Sequence, residues 1–380
     1  MNSGGVTQVS AAKQVEFIAY LQRLLIEGDF VATYKFALLH VLADICIERP
    51  QFIGDETQSG IIAIDELVEK FIELYWQHSL PYCGATAKGV STDGVDSADT
   101  SFILFQNAGR QSALLKNLAG YRSKGIRSLT QLKLHPDWHK LVSKTRSTFK
   151  EGPLWRLQLL AGSEECFYYP HDKTKKYIQL NPGIAFCFRR FHDLVVSLAR
   201  SHWTQKVCNF PANQKVIGGQ GNLSDFLFGS DRKAINQARP LLLQIQHGKC
   251  FYCQKPLKQS GQENGEVDHF IPWARYPSDL GHNFVLAHSR CNRNKSDHLA
   301  AQKHKERWFE QNIIKHKQII SSELDSFFVC DSKRSEAIAT WAYQLAAQNF
   351  APLWLNGKEF ESFRHTDCNT TQHHTAERGR

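Results

Sequence analysis

Three short stretches late in the chain decide how the rest is read: CFYC at 250–253, EVDHFIPW at 266–273 and GHNFVLAHSRCNRNKSDH at 281–298. Cys250 and Cys253 form a CxxC pair, a spacing at which one tight turn offers two thiolates to a single metal. His288 and Cys291 form HxxC, the matching second half. Together they make a Cys3His set suited to tetrahedral zinc. The competing reading is three buried cysteines and an incidental histidine, and the paired spacing argues against it. The other seven cysteines, Cys46, Cys83, Cys166, Cys187, Cys208, Cys330 and Cys368, show no ligand spacing. They are expected to be small hydrophobes.

Between the two halves lies Asp268-His269, followed by Asn283 and then by Asn292 in CNRNK. On these residues the sequence resembles the HNH endonuclease family, of the His-Me finger or ββα-metal fold. The family pattern is a DH or HH pair ending the first strand of a hairpin, an Asn in the loop, and an Asn or His on the following helix. The resemblance covers about residues 235–310. It departs from the common pattern in having HxxC where CxxC is frequent, and Asn at the last motif position.

What the resemblance implies about chemistry agrees with the residue types. Phosphodiester hydrolysis needs an activated water, neutralised phosphate charge and help for the leaving oxygen. A neutral imidazole can take a proton from water near pH 7, so His269 is the candidate general base. Asp268 and Asn292 offer hard oxygen ligands for a divalent ion, Mg²⁺ or Mn²⁺. Adjacent residues on a strand point to opposite faces, and the resemblance implies that the strand ends here, its twisted terminus letting both Asp268 and His269 reach the site. The family implies that Asn283 holds the loop and orients the histidine. Lys295, and secondarily Arg293, are candidate phosphate contacts. Glu266 reads equally as a supporting carboxylate or a solvated strand position. Trp273, Arg275 and Tyr276 read as an aromatic cover, and His282 and His298 as exposed residues.

Working outward, the chain has 380 residues, room for two to three domains. Apolar residues at helical spacing predict a first helix carrying Phe17, Ile18, Leu21, Leu24 and Leu25. A second helix carries Phe36 to Ile47, and a third runs from Ile64 to Trp76, all three amphipathic. Residues 83–100 read as a flexible loop. CFYYP (166–170) and KYIQL (176–180) read as a hairpin. A long helix is expected over 184–207, a glycine-rich linker over 216–222, a helix from Asp231 and a further helix over 335–348. The tail from His365 reads as disordered. The fold class is therefore α+β, mostly α: a helical region over 1–222 with a small hairpin, a ββα nuclease domain with structural zinc over 231–310, and C-terminal helices with a tail over 311–380.

Forty-six Lys and Arg against 37 Asp and Glu give a net charge of +9, which fits a polyanionic partner. No stretch approaches the ~20 apolar residues of a membrane span. The opening MNSGGVTQVSAAKQ lacks a signal peptide's apolar core, which predicts a cytoplasmic chain with reduced thiols. The function expected is a metal-dependent DNA endonuclease, with RNA not excluded by the residues, serving bacterial anti-phage defence or restriction. The region 1–222 would supply recognition, regulation, a protein partner or homo-oligomer contacts. The alternative is a zinc-stabilised nucleic-acid-binding or partner-regulated effector without autonomous cleavage, for which an intact Asp268, His269 and Asn292 set would be unnecessary.

Overall fold

The computed structural model describes residues 9–49, 60–82, 102–109, 111–217, 223–229, 232–258 and 265–362. The expected loop at 83–100, most of the glycine-rich linker and the tail from His365 lie outside the described residues. The chain divides into two compact units, Met1–Gly229 and Ser230–Arg380. It is mostly helical, with small two-stranded sheets. No described helix is long and apolar enough to cross a membrane.

In the first unit, α1 (Ala11–Glu27) starts at Ser10, whose hydroxyl accepts from the Lys13 N–H, and buries Phe17, Tyr20, Leu21 and Leu24. The second helix, α2 (Tyr34–Glu48), departs from the amphipathic expectation: every residue from Lys35 to Ile47 is buried. A helix enclosed on all sides must pair its polar groups internally. Asp44 does so, its Oδ1 2.9 Å from His192 Nε2 and its Oδ2 3.3 Å from Lys70 Nζ. Strand β1 (Ile61–Ala63) leads directly into α3 (Ile64–His78), which contributes Lys70.

The hairpin expected between 166–170 and 176–180 does not form. Instead β2 (Leu159–Leu160) pairs with β3 (Ser163–Glu164), and β4 (Tyr177–Gln179) pairs antiparallel with β1. Side chains have already claimed the backbone of the CFYYP stretch. Gln158 Oε1 accepts from the Tyr168 N–H at 2.5 Å, and Asn181 Nδ2 donates to the carbonyls of Cys166 and Phe167 at 2.8 Å. The long helix expected over 184–207 is two helices, α4 (Ile184–Arg190) and α5 (His192–Asn209), broken at Phe191, where φ is −111°.

The second unit opens with the expected helix, α-helical over Arg232–Ile235 and Arg239–Ile245 and tightened to a 3-10 turn over Asn236–Ala238 between them. Pro240 lies in the first turn of Arg239–Ile245, where its missing N–H costs nothing. The core motif is β5 (Glu266–His269), β6 (Phe284–Ala287) and α6 (Ser289–Lys295), with Asp268 opposite Val285 and His269 opposite Phe284. Residues 311–362 belong to this same unit. The helix Ser332–Gln348 packs there, Tyr343 donating its hydroxyl to the Ala300 carbonyl at 2.6 Å. Strands β7 (Leu353–Asn356) and β8 (Glu359–Glu361) close it, with backbone bonds linking Trp354 to Leu299 and Ala301. Phe270, just past β5, stacks on Trp308 at 5.0 Å and anchors the motif in the core.

Candidate active site and metal centre

The CxxC turn hangs between the helix Arg239–Ile245 and β5. Its backbone is closed by Cys250 N–H to Lys255 O at 2.9 Å and Gln254 N–H to Cys250 O at 3.0 Å. Phe251 N–H bonds the Leu286 carbonyl at 2.9 Å, which fixes the turn to β6. Gln246 reinforces that attachment. Its amide donates to Leu286 O and accepts from Leu286 N–H, both at 2.8 Å. The second ligand pair stands where β6 passes into α6.

One donor atom from each of Cys250, Cys253, His288 and Cys291 lies within 4.8 Å of the others. His288 Nε2 faces the Pro256 carbonyl at 3.1 Å. A carbonyl only accepts, so Nε2 carries the proton and Nδ1 keeps a lone pair, 3.3 Å from Cys253 Sγ. The Cys291 side chain and backbone N–H groups of Cys253, His288 and Tyr252 hold the Cys250 thiol below its usual range against the effect of burial, while the neighbouring Cys250 and burial push Cys291 up. Three sulfurs and one imidazole lone pair converging in this way fit zinc.

A second cluster, Glu164, Cys166 and His171, also brings its donor atoms within 4.8 Å. Here the tautomer argues the other way. Gln158 Oε1 faces backbone N–H groups, so its amide nitrogen is the atom 3.2 Å from His171 Nε2. That places the ring proton on Nδ1, 2.5 Å from Glu164 Oε1. That approach lacks hydrogen-bond geometry, and the Cys166 thiol lies 3.6 Å from the same Glu164 Oε1.

The hairpin and α6 hold the motif residues in two groups. His269 turns toward the loop, with Nε2 2.8 Å from Asp279 Oδ1 and its ring against Trp273 and Phe284. A carboxylate accepts, so Nε2 donates toward Asp279, and Nδ1 is the nitrogen that this contact leaves unused. Asp268 turns toward α6. Tyr252 donates to its Oδ2 at 2.5 Å, and Lys295 Nζ lies 3.0 Å from Oδ2 and 3.3 Å from Oδ1. Lys295 is fully buried, and its ammonium also donates to the His269 carbonyl at 2.8 Å. As placed, it faces away from any phosphate at the surface.

Asn283 extends the hairpin with its side chain. Its Oδ1 accepts from Ile271 N–H at 2.8 Å, and its Nδ2 donates to Ile271 O at 2.9 Å. The backbone bond from Phe270 to Asn283 O lies beside them. Asn292 meets Glu266 rather than Asp268, with Nδ2 3.1 Å from Glu266 Oε2, while Ser289 donates to Glu266 Oε1 at 2.5 Å. Glu266 and Asp268 share one strand face, and Asn292 and Lys295 stand one helical turn apart opposite them. His282, expected to be exposed, is fully buried and bonds the Lys317 carbonyl at 3.1 Å; His298 is exposed beside Phe360. Sequence reasoning assigned no site role to Tyr252 or Asp279. The tyrosine inside CFYC and the carboxylate four residues before Asn283 were the available signals.

Residues 250–301 match the HNH endonuclease family model, so the second unit carries an HNH endonuclease domain, a class that acts on nucleic acids through divalent metals. Residues 14–222 match the model described as a domain of unknown function, DUF8808. That model spans more than half of the chain, and the protein belongs to the DUF8808 family. No solved structure matches the chain.

Proposed function

We propose that this protein is a metal-dependent endonuclease that hydrolyses DNA phosphodiester bonds in the cytoplasm, with a role in bacterial anti-phage defence or restriction. The observation that carries this reading is the His269–Asp279 pair at the end of β5, the strand that also carries Glu266 and Asp268. With Nε2 held by Asp279, His269 presents Nδ1 to a water. The water proton passes to Nδ1 while its oxygen forms the new bond to phosphorus. The bond from phosphorus to the 3′ oxygen breaks and that oxygen takes a proton from solvent, leaving a 5′ phosphate and a 3′ hydroxyl. Asp268 and Asn292, with Glu266 at the same face, would hold Mg²⁺ or Mn²⁺, hard donors suiting a hard cation. That ion, when bound, would neutralise phosphate charge and stabilise the leaving oxygen. Cys250, Cys253, His288 and Cys291 would hold the structural zinc. The N-terminal unit would supply recognition, regulation or contacts to a partner or second copy.

One observation favours the second reading, a zinc-stabilised binding or partner-regulated protein without autonomous cleavage: Asp268 is already neutralised by Lys295. Plasmid DNA with Mg²⁺ or Mn²⁺ separates the two, with a structured RNA in parallel. Nicking by the native chain that is lost in His269→Ala supports the nuclease. Equal activity in both removes His269 as the base, and DNA binding without cleavage favours the second reading.

A further inference from the structure

We infer that Tyr252 is a positioning residue that ties the Cys3His centre to the divalent-cation ligand Asp268 through one O–H···O contact. This rests on the reading above that Asp268 is a cation ligand. Tyr252 lies between the two ligand cysteines of the CxxC turn, so its backbone moves with the zinc centre. Its ring is 4% exposed and sits edge-on between His304, at 5.4 Å, and Trp354, at 5.2 Å. Arg307 Nη1 pins the turn from outside, donating to the Phe251 carbonyl at 2.9 Å. The hydroxyl is thereby delivered to Asp268 Oδ2 at 2.5 Å.

The two oxygens of Asp268 are held unequally. Oδ2 receives both Tyr252 and Lys295, at 2.5 and 3.0 Å, whereas Oδ1 receives only the longer 3.3 Å contact from Lys295. Oδ2 is the anchored atom and Oδ1 the one available to an incoming cation. An anchor of this kind fixes the carboxylate plane in advance, so that a cation does not have to order it on binding. A tyrosine that merely filled the core would be served equally well by phenylalanine. The aromatic seat would remain, and the anchor alone would be lost.

The test is Mn²⁺ binding by electron paramagnetic resonance on the zinc-loaded full chain, comparing wild type, Tyr252→Phe, Asp268→Asn and the double variant, with zinc content and thermal melting measured alongside. Tyr252→Phe is expected to weaken Mn²⁺ binding by roughly tenfold, the low end of the loss seen when a ligand's supporting partner is removed. Zinc content should stay unchanged, and the Asp268→Asn background should show no further loss. Mn²⁺ affinity within about twofold of wild type in Tyr252→Phe overturns the inference, as does a wild-type chain that binds no Mn²⁺. A second measurement needs no variant. With Co²⁺ in place of zinc, saturating Mg²⁺ should shift the cobalt–thiolate absorption of the wild-type chain, and an unmoved spectrum counts against the link. Mn²⁺ binding that depends on Tyr252 in a chain that never nicks DNA would defeat the nuclease reading and leave this inference standing.

Discussion

The Lys295 ammonium lies 3.0 Å from Asp268 Oδ2 and 2.8 Å from the His269 carbonyl oxygen, with no exposure to solvent. A buried charge of this kind is tolerated only because it is paired and hydrogen-bonded. Removing one partner strands the other. Lys295→Met is expected to lower unfolding stability by about 3–5 kcal/mol. Urea unfolding followed by tryptophan fluorescence reads this, and a change below about 1 kcal/mol would show that the pair is not held in solution.

Asp279 should matter to rate and not to substrate binding. Its carboxylate fixes which nitrogen of His269 carries the proton, and an amide in its place can present the wrong group to the ring. Asp279→Asn is expected to cut plasmid nicking by roughly 10²-fold or more, in line with the loss seen when a base-orienting carboxylate becomes an amide. Gel-shift affinity for the same plasmid should be unchanged. Parallel falls in rate and affinity would place Asp279 in the fold of the loop instead.

Acid should weaken the N-terminal unit before it reaches ordinary carboxylates. Burial holds His40 down to about 3, with Asp44 only partly opposing it, and burial likewise holds His78 down to about 3. Both are neutral in the folded chain and would take up a proton on unfolding below about pH 6.5. The unfolded state then binds more protons, so stability falls as pH drops from about 6.5 toward 3. The slope is about 1.4 kcal/mol per pH unit for each histidine across the middle of that window. His192 runs the other way. Burial pulls it down, but bonds to Asp193 and Asp44 carry it above its usual value. Its contribution is complete below about 6.5 and is lost as pH rises through the raised value. Melting temperature against pH should therefore drop on the acid side, and His40→Gln should flatten that drop. An unchanged profile in His40→Gln would contradict the buried neutral state.

The Cys3His centre predicts one zinc per chain by elemental analysis and none in Cys250→Ser. Structural zinc is bound tightly enough to contribute to folding. Chelation should therefore lower the melting temperature of the second unit and leave that of the first in place. A metal-free chain that melts normally would remove zinc from the account.

The nuclease motif was the most legible part of the chain because it is local. Cys250, Cys253, His288 and Cys291 mark a candidate metal site by spacing alone, whereas the role of Asn283 follows from the family resemblance, and its side-chain bonds run to Ile271. Contacts set by packing were less accessible. Nothing in the spacing of α2 distinguishes a helix with one buried face from one enclosed all round. The pairing of β4 with β1 depends on strands more than a hundred residues apart. Lys295 read as a phosphate contact because a lysine in CNRNK looks exposed; only the meeting of α6 with β5 turns it inward.

Gln246 carries a consequence for how this protein behaves at high concentration. Strand β6 has β5 on one side, and on its other side the polar atoms of Leu286 are already taken by the Gln246 amide and the Phe251 N–H. A free strand edge is a template on which a second chain can add. At Leu286 that template is closed by a side chain that mimics a neighbouring strand without being one. Along that edge of β6, addition of a further strand would first have to displace Gln246 from Leu286.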